Sequence, residues 1–181
     1  MTPRSTPLVF ALLGTLALAR CSVAAEKQPR RGDRVADFAF TDFSGSEHHL
    51  SDFTGKYVLL DFWATWCQPC LKEVPDLKKA REKFGPRGLV IIGMNSDKKQ
   101  EKAERFVRDK GVPWLQSSAK STKPVLHYIL KIKWYPTLVL LGPDGKILAV
   151  SEGETPPLYG PSLFKTLDQT LPPGRSWKGQ S

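Results

Sequence analysis

The stretch Tyr57–Trp63, YVLLDFW, is apolar at every position except Asp61, and it leads through Ala64-Thr65-Trp66 into Cys67-Gln68-Pro69-Cys70. An apolar run without alternation is the pattern of a strand covered on both faces. Such a strand can only lie inside a layered domain. A helix is predicted from about Pro69 to Phe84. Leu71, Val74, Leu77 and Phe84 recur there at helical spacing, and Gly85-Pro86 ends it. Pro75 lies within that pattern, removes one backbone donor and is expected to kink the helix.

The remaining elements follow in order. Residues 89–95, LVIIGMN, read as a second buried strand. Residues 96–111 read as a charged helix with Ala103, Phe106 and Val107 inward and Gly111 at its end. A short strand is expected at 112–115 and a short helix at 123–130. Residues 137–141, TLVLL, form a third strand. Pro143-Asp144-Gly145 turns it back into an antiparallel neighbour at 146–150. Pro161 opens a last helix over 162–171, with Leu163, Phe164, Leu167 and Leu171 inward. Upstream, residues 38–50 alternate around Ser44-Gly45-Ser46 as a hairpin. His48 and His49 lie on its second arm and are expected in solvent. The chain shows no internal repeat. The element order gives an α/β sandwich around a mixed sheet.

The ends read differently. Arg4 followed by the apolar run Leu8–Ala19 and by Val23-Ala24-Ala25 predicts a signal peptide over residues 1–25. The mature chain would begin at Glu26, in an exported, periplasmic or otherwise extracytoplasmic setting. An uncleaved membrane anchor is one alternative. A lipid on Cys21 is another, although Arg20 stands where a lipidation site wants a small residue. Residues 26–33 read as a flexible lead-in, 34–171 as the domain and 172–181 as a disordered tail. The net charge of +9, from 27 basic and 18 acidic residues, includes no Lys/Arg run interleaved with aromatics. It reads as general surface charge, with no nucleic-acid site.

Cys67 and Cys70 admit several chemistries. Zinc needs four ligands, and only His48, His49 and His127 could complete a site. Covalent haem attachment wants a histidine directly after the second cysteine, where Leu71 stands. A structural bridge closing so small a loop removes little chain entropy. Reactive exchange fits better. Cys67 falls where strand meets helix, and the free N–H groups and partial positive charge there favour a thiolate, lowering a pKa of about 8.5 by one to several units. Pro69 suits the first turn. Cys70 lies one turn deeper, as a resolving thiol. Asp61 is a carboxylate in an apolar strand, which is costly without a role or a partner. It either pairs with a buried cation or serves as the base that takes the Cys70 proton.

These residues resemble a family. VLLDFWATWCQPC is similar to the active-site stretch of thioredoxin-fold proteins. WCQPCLKEVPDL followed by Trp134-Tyr135-Pro136-Thr137 resembles the exported TlpA/ResA-like branch. The resemblance covers about residues 34–171. It implies a thioredoxin fold with an N-terminal hairpin and a central insert, placed in part of 96–121. It implies thiol–disulfide exchange through a redox-active Cys67–Cys70 disulfide, with no other cofactor and no metal. It also implies a cis Tyr135–Pro136 bond facing Cys67, and a substrate-binding set of Trp66, Tyr135 and Pro136 beside a free backbone edge. Glu73 matches a glutamate of this branch, and a secondary part in proton handling is expected of it, against a solvated helix position. The implied partners are protein thiol or disulfide substrates and a membrane dithiol donor, with the protein a monomer. Members of the branch often reduce apocytochrome c cysteines before haem attachment. Two departures stand out. The branch often has an uncharged residue where Asp61 stands, and the Glu152–Pro161 loop is long. Rival readings are a thiol peroxidase on the same fold, disfavoured by Ala64 where a Thr or Ser is needed, and a metal carrier or assembly chaperone.

Overall fold

The computed structural model describes residues 28–173. The signal peptide expected over residues 1–25 and most of the expected tail lie outside them. No helix among the described residues is long and apolar enough to cross a membrane.

Among the described residues, seven strands and four α-helices make up the domain. The strands are β1 (Ala39–Thr41), β2 (Glu47–His49), β3 (Tyr57–Trp63), β4 (Leu89–Asn95), β5 (Leu115–Ser117), β6 (Thr137–Leu141) and β7 (Ile147–Glu152). The helices are α1 (Gln68–Phe84), α2 (Gln100–Asp109), α3 (Ala119–Pro124) and α4 (Pro161–Thr170). β1 and β2 pair as the expected hairpin. The main sheet has the order β5-β4-β3-β6-β7. β3, β4 and β5 run parallel, β6 pairs antiparallel to β3, and β7 pairs antiparallel to β6. This is the mixed sheet of a thioredoxin-like fold.

β3 is central, and its alternate residues enter different cores. Val58, Leu60 and Phe62 join Phe40, Ile92, Met94 and Val139 on the hairpin side. Leu59 points the other way, into Leu77, Ala80 and Phe84 of α1 and Leu163 and Leu167 of α4. By the same alternation Asp61 faces the α1 side. Buried on both faces, this strand has no polar position to spare, so Asp61 is anomalous.

Several elements differ from expectation. β5 starts at Leu115, later than the expected 112–115. Gln116 and Ser117 are buried there, although their polarity reads as loop. Helix begins at Ala119 and not at Lys123, because the Ser118 side chain caps it by accepting from the Ser121 N–H. It continues as a π-helical turn over Val125–Ile129. α1 is one helix through Pro75, which is exposed. The lead-in expected to be flexible is tied down over its described part: Gly32 N donates to Ile147 O at 2.8 Å, and Gln28 donates to the Glu152 carboxylate. His48 is only partly in solvent. Its ring stacks on Phe40 at 5.4 Å and its Nε2 lies 2.9 Å from Asp42 Oδ2.

Candidate active site

Cys67 is the N-cap of α1, with extended backbone. The chain leaves β3 there and turns into the helix, and Pro69 sits in the first turn. The Cys70 N–H donates to Cys67 Sγ at 3.3 Å, as an N-cap side chain requires. The two sulfurs are joined as a disulfide. Both cysteines are almost fully covered, so exposure does not separate them. Surroundings do. Cys67 borders a shallow depression with Trp66, Gln68, Pro69, Trp134 and Tyr135 that Cys70 does not line, while both cysteines pack with Trp63 and Ala103.

The turn ahead of Cys67 is held by Asp97, just past the end of β4. Its carboxylate accepts from Thr65 N at 2.8 Å, Thr65 Oγ1 at 2.6 Å and Asn95 Nδ2 at 2.8 Å. Behind the turn, Trp63 Nε1 donates to Gln116 Oε1 at 2.9 Å. Gln116 fits only because β4 has no side chain at Gly93, where a Cβ would lie 2.0 Å from Gln116 Oε1. Asp97 and Gln116 were absent from the residues singled out in the sequence. The signal for Asp97 was its place at the carboxyl end of a buried parallel strand, where sites of open α/β sheets gather.

The Tyr135–Pro136 bond is cis. Pro136 is buried at the start of β6, at the end of the sheet where β3 hands over to Cys67. The Tyr135 hydroxyl donates to Ser96 Oγ at 2.6 Å, and its ring meets Trp66 edge-on at 5.2 Å. Trp66 is 61% exposed and Trp134 65%. Trp66 and Tyr135 thus flank Cys67. Ala64 is buried and offers no hydroxyl beside Cys67.

Asp61 is 4% exposed and Glu73, on α1, is 7% exposed. The solvated position considered for Glu73 is therefore excluded. Burial pushes the Asp61 carboxyl up to about 7, and no lysine or arginine offsets it. The buried cation weighed as a partner is not there among the described residues. Glu73 is pushed up to about 9, first by burial and then by the charges of Asp61, Glu154 and Asp76. Its Oε2 is buried with no hydrogen-bond partner. Two carboxyls that resist ionisation therefore stand on the α1 side of the sheet, with Cys70 on the same helix. Glu154 comes from the long loop, which Leu158 anchors in the core through its N–H to Ser151 Oγ at 2.7 Å. No group of three or more His, Cys, Asp or Glu side chains among the described residues is arranged for a metal ion, and His127 is exposed.

The sequence matches the AhpC/TSA family over residues 31–150. The chain belongs to that family. Among curated relatives, the thiol-disulfide oxidoreductase ResA of Bacillus cereus is 31% identical over 131 residues, 72% of this chain and 75% of the relative. ResA of Bacillus subtilis is 29% identical over 130 residues, 72% of each chain. Among solved structures, the thioredoxin domain of a thiol-disulfide oxidoreductase from Bacteroides vulgatus has a TM-score of 0.70 at 30% identity, covering 79% of this chain and 99% of that one. A thiol:disulfide interchange protein DsbE from Chlorobium tepidum has a TM-score of 0.66 at 30% identity, covering 78% and 95%. Within the AhpC/TSA family this chain is therefore a thiol–disulfide oxidoreductase of the ResA and DsbE type, carrying a CxxC pair.

Proposed function

We propose that this protein works outside the cytoplasm as a reductant of protein disulfides. The observation that carries the reading is Cys67 at the N-cap of α1, bonded to Cys70 and opening onto the Trp66–Tyr135 depression. Cys67 thiolate attacks one sulfur of a substrate disulfide. The other sulfur leaves as a thiolate and takes a proton from solvent. Cys70 gives its proton to Asp61 and attacks Cys67 Sγ. The second substrate thiol is released and the Cys67–Cys70 disulfide forms. Asp61 suits this base role because its raised pKa of about 7 leaves it part ionised at neutral pH. Glu73, raised further, stays protonated there, and its secondary part is to tune the surroundings of Asp61 and not to take the proton itself.

A membrane dithiol donor restores the reduced pair, becoming a disulfide itself. Residues 1–25 direct export and are cleaved, the protein acts as a monomer, and Pro136 sits beside the backbone edge that receives substrate. The resemblance to the TlpA/ResA-like branch supports apocytochrome c cysteines as the substrate. Equilibration of the purified protein with glutathione redox buffers tests the direction of electron flow. A potential at or below about −250 mV is expected of a reductant. A value near about −120 mV would make the protein an oxidant and overturn the reading.

A further inference from the structure

Three lysines from separate segments line a depression next to the one that Cys67 borders. The two depressions share Trp66, Lys133 and Tyr135. Together they form one track leading away from the reactive sulfur. Its floor is apolar, with buried Leu126 and Ile132 behind Tyr135. Lys98 follows β4, Lys123 lies on α3 and Lys133 precedes β6. All three are exposed along the track. No acidic side chain lines either depression. No ion pair engages these three lysines among the described residues. The nearest acid in sequence, Asp97, is buried and already accepts from Thr65 and Asn95. The Asp97 charge is felt at Tyr135, yet with three lysines and no lining acid the track stays net positive.

We propose that this track binds the segment of substrate polypeptide flanking the target cysteine, and that it selects segments rich in Asp and Glu. The inference rests on the thiol–disulfide exchange reading and adds the class of substrate. A polypeptide fits best because the track begins at the sulfur that must become bonded to the substrate chain. Any chain held on Cys67 runs its neighbouring residues along it. The exposed indole of Trp66 and the ring of Tyr135 offer apolar contact for the backbone and stems of that segment. The lysines discriminate by charge, an effect that operates on encounter and weakens with salt.

Peptides carrying one cysteine as a 2-pyridyl mixed disulfide test this. Attack of Cys67 on the peptide sulfur releases pyridine-2-thione, which is read by absorbance. Cys70 then frees the peptide thiol. Two peptides are compared, with three glutamates or three lysines on each side of the cysteine, and dipyridyl disulfide serves as a flank-free probe. In a single turnover, the reduced wild-type protein is expected to react with the Glu peptide with a second-order rate constant about tenfold above that for the Lys peptide at low ionic strength, the size that three exposed charge pairs give. Raising the salt is expected to bring the ratio towards one. The variant Lys98→Glu/Lys123→Glu/Lys133→Glu is expected to invert it. The ratio within each protein is unmoved by a loss of folded material. Equal rate constants for the two peptides with the wild-type protein, or a preference that survives charge reversal, would overturn the proposal. Equal rate constants with a dimer in sedimentation would overturn it too, and assign the track to a second copy. Failure of the exchange reading looks different: dipyridyl disulfide itself would not be reduced.

Discussion

Asp61 makes the active site dependent on pH in two ways that one substitution separates. An unfolded carboxyl ionises near 3.8 and the folded one near about 7. Between those values the folded chain holds a proton that the unfolded chain has released. Stability therefore falls as pH rises through this window, and the full cost is present above it. Asp61→Asn removes that cost. It is expected to leave stability nearly unchanged at about pH 4 and to raise it by about 2–4 kcal/mol at about pH 8, in urea denaturation. An equal effect at both pH values would show that Asp61 is not held protonated by burial. The same variant is expected to form mixed disulfides at close to the normal rate and to release them slowly, since only Cys70 depends on this base. The anomaly was legible in the sequence, as one acid in an apolar strand. Its isolation from any cation was not, because that depends on which side chains α1 and the long loop bring over it.

At the scale of elements, the turn that presents Cys67 is fixed by a residue from another strand. Asp97 accepts three hydrogen bonds in a buried setting, two of them from Thr65. Asp97→Ala leaves those donors without an acceptor and is expected to cost about 2–4 kcal/mol, measured by urea denaturation, with slower attack by Cys67. A cost under about 0.5 kcal/mol would mean that the turn holds its shape unaided. β3, β4 and β6 were readable because a strand buried on both faces leaves a continuous apolar run. β5 was misplaced because its buried residues, Gln116 and Ser117, are polar. They stay inside by hydrogen bonding to Trp63 and Thr122. The start of α3 was missed because Ala119–Lys123 carries no apolar stripe, and the capping serine is visible only once its partner N–H is placed.

For the whole molecule, the sequence conveyed the sandwich and the reactive pair, because both rest on short-range pattern: strand, cysteine at the helix start, helix. The basic track beside Cys67 was not readable. Its lysines come from three separated segments, and their charges were indistinguishable from the general surplus until the fold brought them together. The central claim concerns the division of labour between the two cysteines. Single-cysteine variants incubated with a disulfide-bonded protein substrate and run on non-reducing gels test it most directly. Cys70→Ser is expected to accumulate a stable mixed disulfide, because attack proceeds and release is lost. Cys67→Ser is expected to trap almost nothing, since Cys70 does not line the depression that Cys67 borders. Trapping by Cys67→Ser and not by Cys70→Ser would contradict the account.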